Sequence, residues 1–220
     1  MTEHGATADL FDDQPCCRDE PICPGAVVLR GFALARAQAL LDAVAAVAVL
    51  APFRHMVTPG GQRMSVAMTG CGDCCWVSDR RGYRYDDVDP DSGRPWPAMP
   101  VLFRTLAEEA AERAGFAGFV PDACLINRYE PGTRLSLHQD RDERDFSAPI
   151  VSVSLGLPAQ FQFGGLARND PLRRIPLGHG DVVVWGGPAR LYHHGVLPLK
   201  VGRHVLTGEQ RINLTLRKAR

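Results

Sequence analysis

The sequence predicts a mainly β protein, a double-stranded β-helix (jelly roll) carried with two flanking helices in an α+β arrangement. Three observations lead there. Seven short strand candidates follow Gly115, namely DACLINRYE, RLSLHQD, PIVSVSLGL, AQFQFGG, GDVVVWGG, ARLYHHG and RINLTLR, each bounded by Gly, Pro or Asp turns. Spacing of this kind favours an antiparallel sandwich or jelly roll. Only two segments before Gly115 have helical patterning, and 220 residues suit one domain with a sizeable core.

In chain order, residues 1–24 read as a flexible N-terminal arm that ends in prolines at 15, 21 and 24. Its acidic, polar start shows no basic region followed by an apolar run, so no signal peptide is expected. A helix follows from about Leu34 to Leu50 and stops at Pro52. This apolar stretch is interrupted by Arg36 and Asp42, which fits a core helix rather than a membrane span. From Thr58 to Pro97, dense Gly, Pro, Asp and Arg mark a lid or binding loop with small strands of its own. A second helix is expected from about Met99 to Arg113, with Pro100 in its first turn and Gly115 as its stop. The organisation expected is therefore an arm (1–24), helices and lid (25–115) and a jelly-roll core (116–220), forming one structural unit.

Charge sums to zero (25 Lys and Arg, 25 Asp and Glu), so binding to nucleic acid would need local patches and not a bulk basic field. The seven cysteines form no evident disulfide framework and suggest reduced thiols in a cytoplasmic protein. The C-x-x-C within CGDCC lacks a second pair to complete a zinc site.

Residues two apart on a strand share a face, so RLSLHQD presents His138 and Asp140 together. One histidine from another strand would complete a two-histidine, one-carboxylate facial triad for iron(II), with positions left for substrate and dioxygen. His193 and His194 compete for that role, because adjacent strand residues point to opposite faces. RINLTLR places Arg211, Asn213, Thr215 and Arg217 on one face, against Ile212, Leu214 and Leu216 on the other. Asn127 and Tyr129 share a face of CLINRYE. Two guanidinium forks, amides and a phenol facing one cavity suit a dicarboxylate, and 2-oxoglutarate would also chelate the metal through its keto-acid end.

Taken together, the blocks PGGQRMSVAMTGCG, RPWPAMP, DACLINRYEPGTRLSLHQDRDE, PIVSVSLGLPAQFQFGG, GDVVVWGG and RINLTLR resemble the AlkB family of Fe(II)/2-oxoglutarate-dependent dioxygenases over residues 27–217. The resemblance implies metal ligation by His138, Asp140 and His194, and 2-oxoglutarate contacts from Asn127, Tyr129, Arg211, Asn213 and Arg217. Arg211 with Tyr129 would take the distal carboxylate, and Arg217 would lie nearer the metal. It further implies a nucleotide-recognition lid and dioxygen-dependent dealkylation of 1-methyladenine and 3-methylcytosine, with release of succinate and formaldehyde. Trp76 would stack on the flipped base opposite His138, Asp142 would face its edge, and Met68 and Ser136 would line its site. Tyr83 would approach a phosphate beside Arg80, Arg81 or Arg84, with Arg134, Arg141 and Arg168 extending that contact.

Gln62 departs from the pattern, standing where an aromatic residue is expected. The partner implied is alkylated single-stranded DNA, with duplex DNA or RNA as further substrates, and the protein is expected to be a monomer. The rival readings are an oxygenase of the same fold acting on RNA, protein or a small molecule, a non-enzymatic damaged-base binding module, and a zinc protein built on CGDCC.

Overall fold

In a computed structural model, residues 18–220 are described. Strands β1 (Asp19–Cys23) and β2 (Ala26–Leu29) precede a 3-10 turn at Leu34–Arg36 and helix α1 (Ala37–Leu50). Strands β3 (Ala67–Gly72), β4 (Cys75–Asp79) and β5 (Gly82–Asp86) lead to helix α2 (Val101–Arg113). The remaining strands are β6 (Ala123–Tyr129), β7 (Leu135–His138), β8 (Ile150–Gly156), β9 (Ala159–Phe163), β10 (Arg173–Leu177), β11 (Val182–Trp185), β12 (His194–Val196) and β13 (Arg211–Arg217).

A seven-stranded sheet in the order β1-β2-β11-β8-β13-β6-β3 faces a four-stranded sheet in the order β10-β9-β12-β7, and β4-β5 stands apart as a hairpin. Every named pairing is antiparallel. This is the expected jelly roll. Alternation along the large sheet splits its side chains between two layers. Ile212, Leu214 and Leu216 of β13 join Val151, Val153 and Leu155 of β8 and the buried faces of both helices. On the opposite face, Leu125, Tyr129, Ile150, Val183 and Trp185 join Phe161, Phe163 and Val196 of the small sheet.

Helix α1 buries Ala37, Leu40, Val44 and Val47, a spacing of three to four residues that keeps one stripe on the sheet. It ends where Pro52 forces Ala51 into an extended conformation (φ −131°, ψ 92°). Helix α2 seats Phe103, Leu106, Ala107 and Ala110 on the same layer. Pro100 lies immediately before this helix rather than inside its first turn. Gly115 at φ 87° turns the chain back, so that the Phe116 amide donates to the Ala111 carbonyl at 2.8 Å.

The expected boundaries shift in three places. The arm was expected to reach residue 24, yet Asp19–Cys23 is an edge strand paired with β2; its residues 1–17 lie outside the described part. The proposed core was expected to begin at residue 116, but β1, β2 and β3 supply three strands of the large sheet. MSVAM therefore leads into the sheet edge, and the lid element outside the two sheets is the β4-β5 hairpin. Strand β10 was not anticipated, because Pro176 cannot donate to a ladder; it is tolerated at the edge of the small sheet. Among the described residues, no helix is long and apolar enough to cross a membrane.

Candidate metal and 2-oxoglutarate site

Between the two sheets opens a cavity of about 630 Å³, lined by residues of β6, β7, β8, β12 and β13 and roofed by Trp76 and Tyr83 of the hairpin. The register of β12 on β7 sets His194 directly opposite His138. Their rings are 4.4 Å apart, tilted by 56°. Gly195 permits this approach, since a Cβ there would meet the Leu135 carbonyl oxygen at 2.8 Å.

Asp140 lies beyond the end of β7, in the following loop. Its carboxylate reaches both histidines, with Oδ1 3.6 Å from His138 Nε2 and Oδ2 3.6 Å from His194 Nε2. His138 and Asp140 do come together, but not through a shared strand face. The loop is folded back by Arg217, whose Nε and Nη2 donate to Asp140 Oδ2 at 3.1 and 2.8 Å. Ligand atoms of His138, Asp140 and His194 all lie within 4.8 Å of one another, and these are the residues that meet that test among those described.

The donor set fits a divalent metal. His138 Nδ1 lies 2.9 Å from the Ser136 carbonyl and His194 Nδ1 lies 2.9 Å from the Tyr192 carbonyl. A carbonyl can only accept, so each Nδ1 carries a proton and each Nε2 is the ring nitrogen left to face a metal. Burial, aided by the neighbouring His194, lowers the His138 pKa to about 4, which keeps the ring neutral at physiological pH. Burial alone would raise the Asp140 pKa, but the Arg217 guanidinium and the histidines outweigh it and hold the carboxyl ionised. His193, the competing candidate, turns its Nδ1 toward the Gly165 carbonyl instead.

The polar face of β13 does not meet bulk water. All seven of its residues are buried, and Arg211, Asn213, Thr215 and Arg217 line the cavity. Arg211 donates from Nη2 to Ser154 Oγ at 2.9 Å and lies over the Tyr129 ring, 4.9 Å from its centroid. Asn213 donates to Ser152 Oγ and to the Val153 carbonyl.

Seven buried side-chain polar atoms among the described residues lack a partner, and five of them line this cavity: Asn127 Oδ1, Tyr129 Oη, Trp185 Nε1, and Arg211 Nε and Nη1. Leaving such groups unsatisfied is costly, so their convergence in one cavity marks the seat of a polar ligand. Burial lowers the Arg211 pKa, but a guanidinium is a cation throughout the range in which proteins work. Free donors beside a charged fork fit a carboxylate, and a second carboxylate of the same ligand would reach toward Arg217 and the histidines.

Trp76 and Tyr83 stack at 5.5 Å with planes 13° apart, and the Trp76 indole Nε1–H donates to Asp142 Oδ2 at 2.7 Å. Met68, Ser136, Arg134, Arg141 and Arg168 also line the cavity. Arg168 is pinned at the rim through the Leu137 carbonyl. Arg81 and Arg84 are held by Asp79, and neither they nor Arg80 line the cavity. The CGDCC cysteines and Cys124 are buried free thiols that form no metal cluster among the described residues. Burial raises the pKa of Cys74 to about 11, which keeps that thiol protonated and inert.

Residues that sequence reasoning missed include Trp185, Glu143 and Arg190. Trp185 sits edge-on to His194 at 4.9 Å. Glu143 and Arg190 are buried together and joined at 3.1 Å behind Asp140. Their one sequence signal was charge inside otherwise structural segments.

A jelly roll holding two histidines, an ionised aspartate and an adjoining carboxylate-ready cavity defines a non-haem iron oxygenase. The profile of the 2OG-Fe(II) oxygenase superfamily matches residues 25–217. The chain is 61% identical over 211 residues to the alpha-ketoglutarate-dependent dioxygenase AlkB of Salmonella typhimurium, covering 96% of this chain and 97% of that protein. It is 59% identical over the same length to AlkB of Escherichia coli, with the same coverage. The solved structure of OsALKBH1 matches with TM-score 0.80 at 28% identity, covering 91% of this chain and all of that one. The chain therefore belongs to the AlkB family of Fe(II)- and 2-oxoglutarate-dependent dioxygenases.

Proposed function

We propose that this enzyme removes alkyl groups oxidatively from nucleobases of the 1-methyladenine and 3-methylcytosine type in DNA, with preference for single strands. The observation that carries this reading is the assembly in one cavity of the triad, the unpartnered N–H and O–H donors of Arg211, Tyr129 and Trp185, and a Trp76–Asp142 pair at the entrance. When bound, iron(II) with 2-oxoglutarate and dioxygen supplies the oxidising power for hydroxylating an N-methyl carbon.

The protein's part is to place and to discriminate. His138, Asp140 and His194 hold the metal. Arg211 with Tyr129 takes the distal carboxylate of 2-oxoglutarate, Arg217 lies nearer its metal-bound end, and Asn127 and Asn213 supply further contacts. Trp76 offers its indole face to a base opposite His138, and the Asp142 carboxylate favours a cationic methylated base over a neutral one. Met68 and Ser136 complete the base site, and Tyr83 with Arg168, Arg134 and Arg141 supplies phosphate contacts. Since the triad lies inside the jelly roll, a base must leave its stack to reach it, which costs least from a single strand. The hydroxymethyl product on nitrogen is a hemiaminal, and its collapse yields formaldehyde and the unmodified base.

The described cysteines are all free thiols, in keeping with a reducing cytoplasm, and a monomer is part of the same proposal. The test is substrate-stimulated succinate formation with methylated single-stranded DNA, its duplex, the matching RNA and a peptide. Stimulation should fall in that order. Strongest stimulation by RNA or peptide would move the enzyme to another substrate class.

A further inference from the structure

The loop that supplies Asp140 to the triad also bolts the hairpin to it at two points. Asp142 accepts from Trp76 on β4, and Glu143 accepts from the Tyr85 hydroxyl on β5 at 2.6 Å. Trp76 and Tyr85 are direct cross-strand partners, so both bolts sit on one rung of the hairpin. The second bolt is buried. Glu143 is 6% exposed, and Tyr85 packs on Cys74, Ala123 and Ala219. Burial, with the Glu143 charge adding to it, drives the Tyr85 pKa well upward, so the phenol remains a donor.

Glu143 is itself fixed from behind. Arg190 Nη2 donates to its Oε2 at 3.1 Å, while Nη1 of the same guanidinium donates to the Asp140 carbonyl at 2.8 Å. Arg190 lies on the turn that feeds His194. Arg217, which grips the Asp140 carboxylate, also lies 3.4 Å from Glu143 Oε1. Two carboxylates and two guanidiniums thus form an internally neutral bracket, the arrangement in which buried charges are tolerated. Each member touches either the triad or the hairpin.

We propose that Tyr85 and Glu143 are positioning residues that tie the base-stacking hairpin to the metal centre, so that the seat for the base and the Asp140 ligand keep a fixed relation. This rests on the dealkylation reading for its consequence in turnover, but the tie itself is a property of the protein alone. A base seated against Trp76 then bears on the loop that carries Asp140, and consumption of 2-oxoglutarate stays matched to the presence of substrate.

Tyr85→Phe removes one hydroxyl and leaves the ring packing in place. In the metal-free full-length variant, amide exchange across residues 75–86 should rise at least about tenfold, with the jelly-roll strands unchanged. Iron and 2-oxoglutarate affinities should stay within about twofold of wild type. With a methylated single-stranded oligonucleotide, KM should rise about fivefold and succinate should exceed formaldehyde by about threefold, against parity in wild type. Unchanged hairpin exchange, or an exchange increase spread evenly over the whole protein, would overturn the tie. Hairpin loosening with succinate and formaldehyde still at parity would overturn its role in coupling. If wild type released no formaldehyde from the oligonucleotide, the dealkylation reading would fail, while the exchange comparison would still decide whether the tie exists.

Discussion

The floor of the cavity and its roof are built on opposite principles. The floor is β13 between β6 and β8, buried on both faces, with its arginines fixed by neighbouring side chains. The roof is a two-stranded hairpin outside both sheets: Cys75 and Val77 of β4 are buried in the core, while Tyr83 on β5 is 49% exposed. A rigid floor suits the part of the reaction that is constant, metal and 2-oxoglutarate. A roof anchored along one strand and exposed along the other suits the part that varies, a base in its sequence context. Fixed sites built on sheet strands are more exact than those on loops, and elements that must admit a ligand come from the less stable end of the fold.

This contrast predicts a gradient of mutational effects. Asp140→Ala or His138→Ala should lower formaldehyde release by at least about a thousandfold, because metal chemistry supplies several kcal/mol of the barrier reduction. Iron content after dialysis should fall in parallel, and retention of both iron and activity would remove these residues from the triad.

Next comes Arg211→Met. Two charge-assisted hydrogen bonds at about 1.5–3 kcal/mol each should be lost, raising KM for 2-oxoglutarate at least about a hundredfold. The same change should leave the melting temperature of the ligand-free protein unchanged or higher, since it removes a buried cation whose Nε and Nη1 have no partner. Loss of stability together with unaltered KM would mean that Arg211 serves the core and not the ligand.

Trp76→Ala belongs to the roof. It should weaken oligonucleotide binding by about 1–3 kcal/mol, roughly 5- to 150-fold, with 2-oxoglutarate affinity intact. The smallest effect is expected from Gln62→Tyr at the rim, where a new ring should tighten oligonucleotide binding by about 1 kcal/mol or less. Fluorescence anisotropy with a methylated strand reads both changes. A Trp76→Ala variant that lost 2-oxoglutarate instead would erase the distinction between floor and roof.

How legible these parts were in the sequence follows the same division. RINLTLR forms a strand with the bounds expected, and its two faces separate as alternation requires. Whether its polar face looked at water or at a cavity depended on the second sheet, which no local pattern contains. His138 was readable as a strand residue. Asp140 meets the two histidines although β7 ends before it, and its position depends on Arg217, 77 residues further along the chain. The choice of His194 over His193 lies in the register of β12 on β7, a pairing across 56 residues (194 minus 138) that periodicity cannot supply.

Strand β1 was hidden by its acidic, proline-containing composition, which pairing at a sheet edge tolerates. The bracket of Glu143 and Arg190 was invisible for a similar reason. Single charges in a loop read as solvent-facing until the fold brings them together in the interior.

The central claim joins floor and roof in one reaction, and one measurement addresses it directly. The enzyme is loaded with iron(II) and 2-oxoglutarate without oxygen, a single-stranded oligonucleotide carrying 1-methyladenine is added, and oxygen is admitted. Formaldehyde, succinate and unmodified adenine should appear in equal amounts. Succinate without formaldehyde or restored adenine, from protein that retains its iron, would contradict the claim.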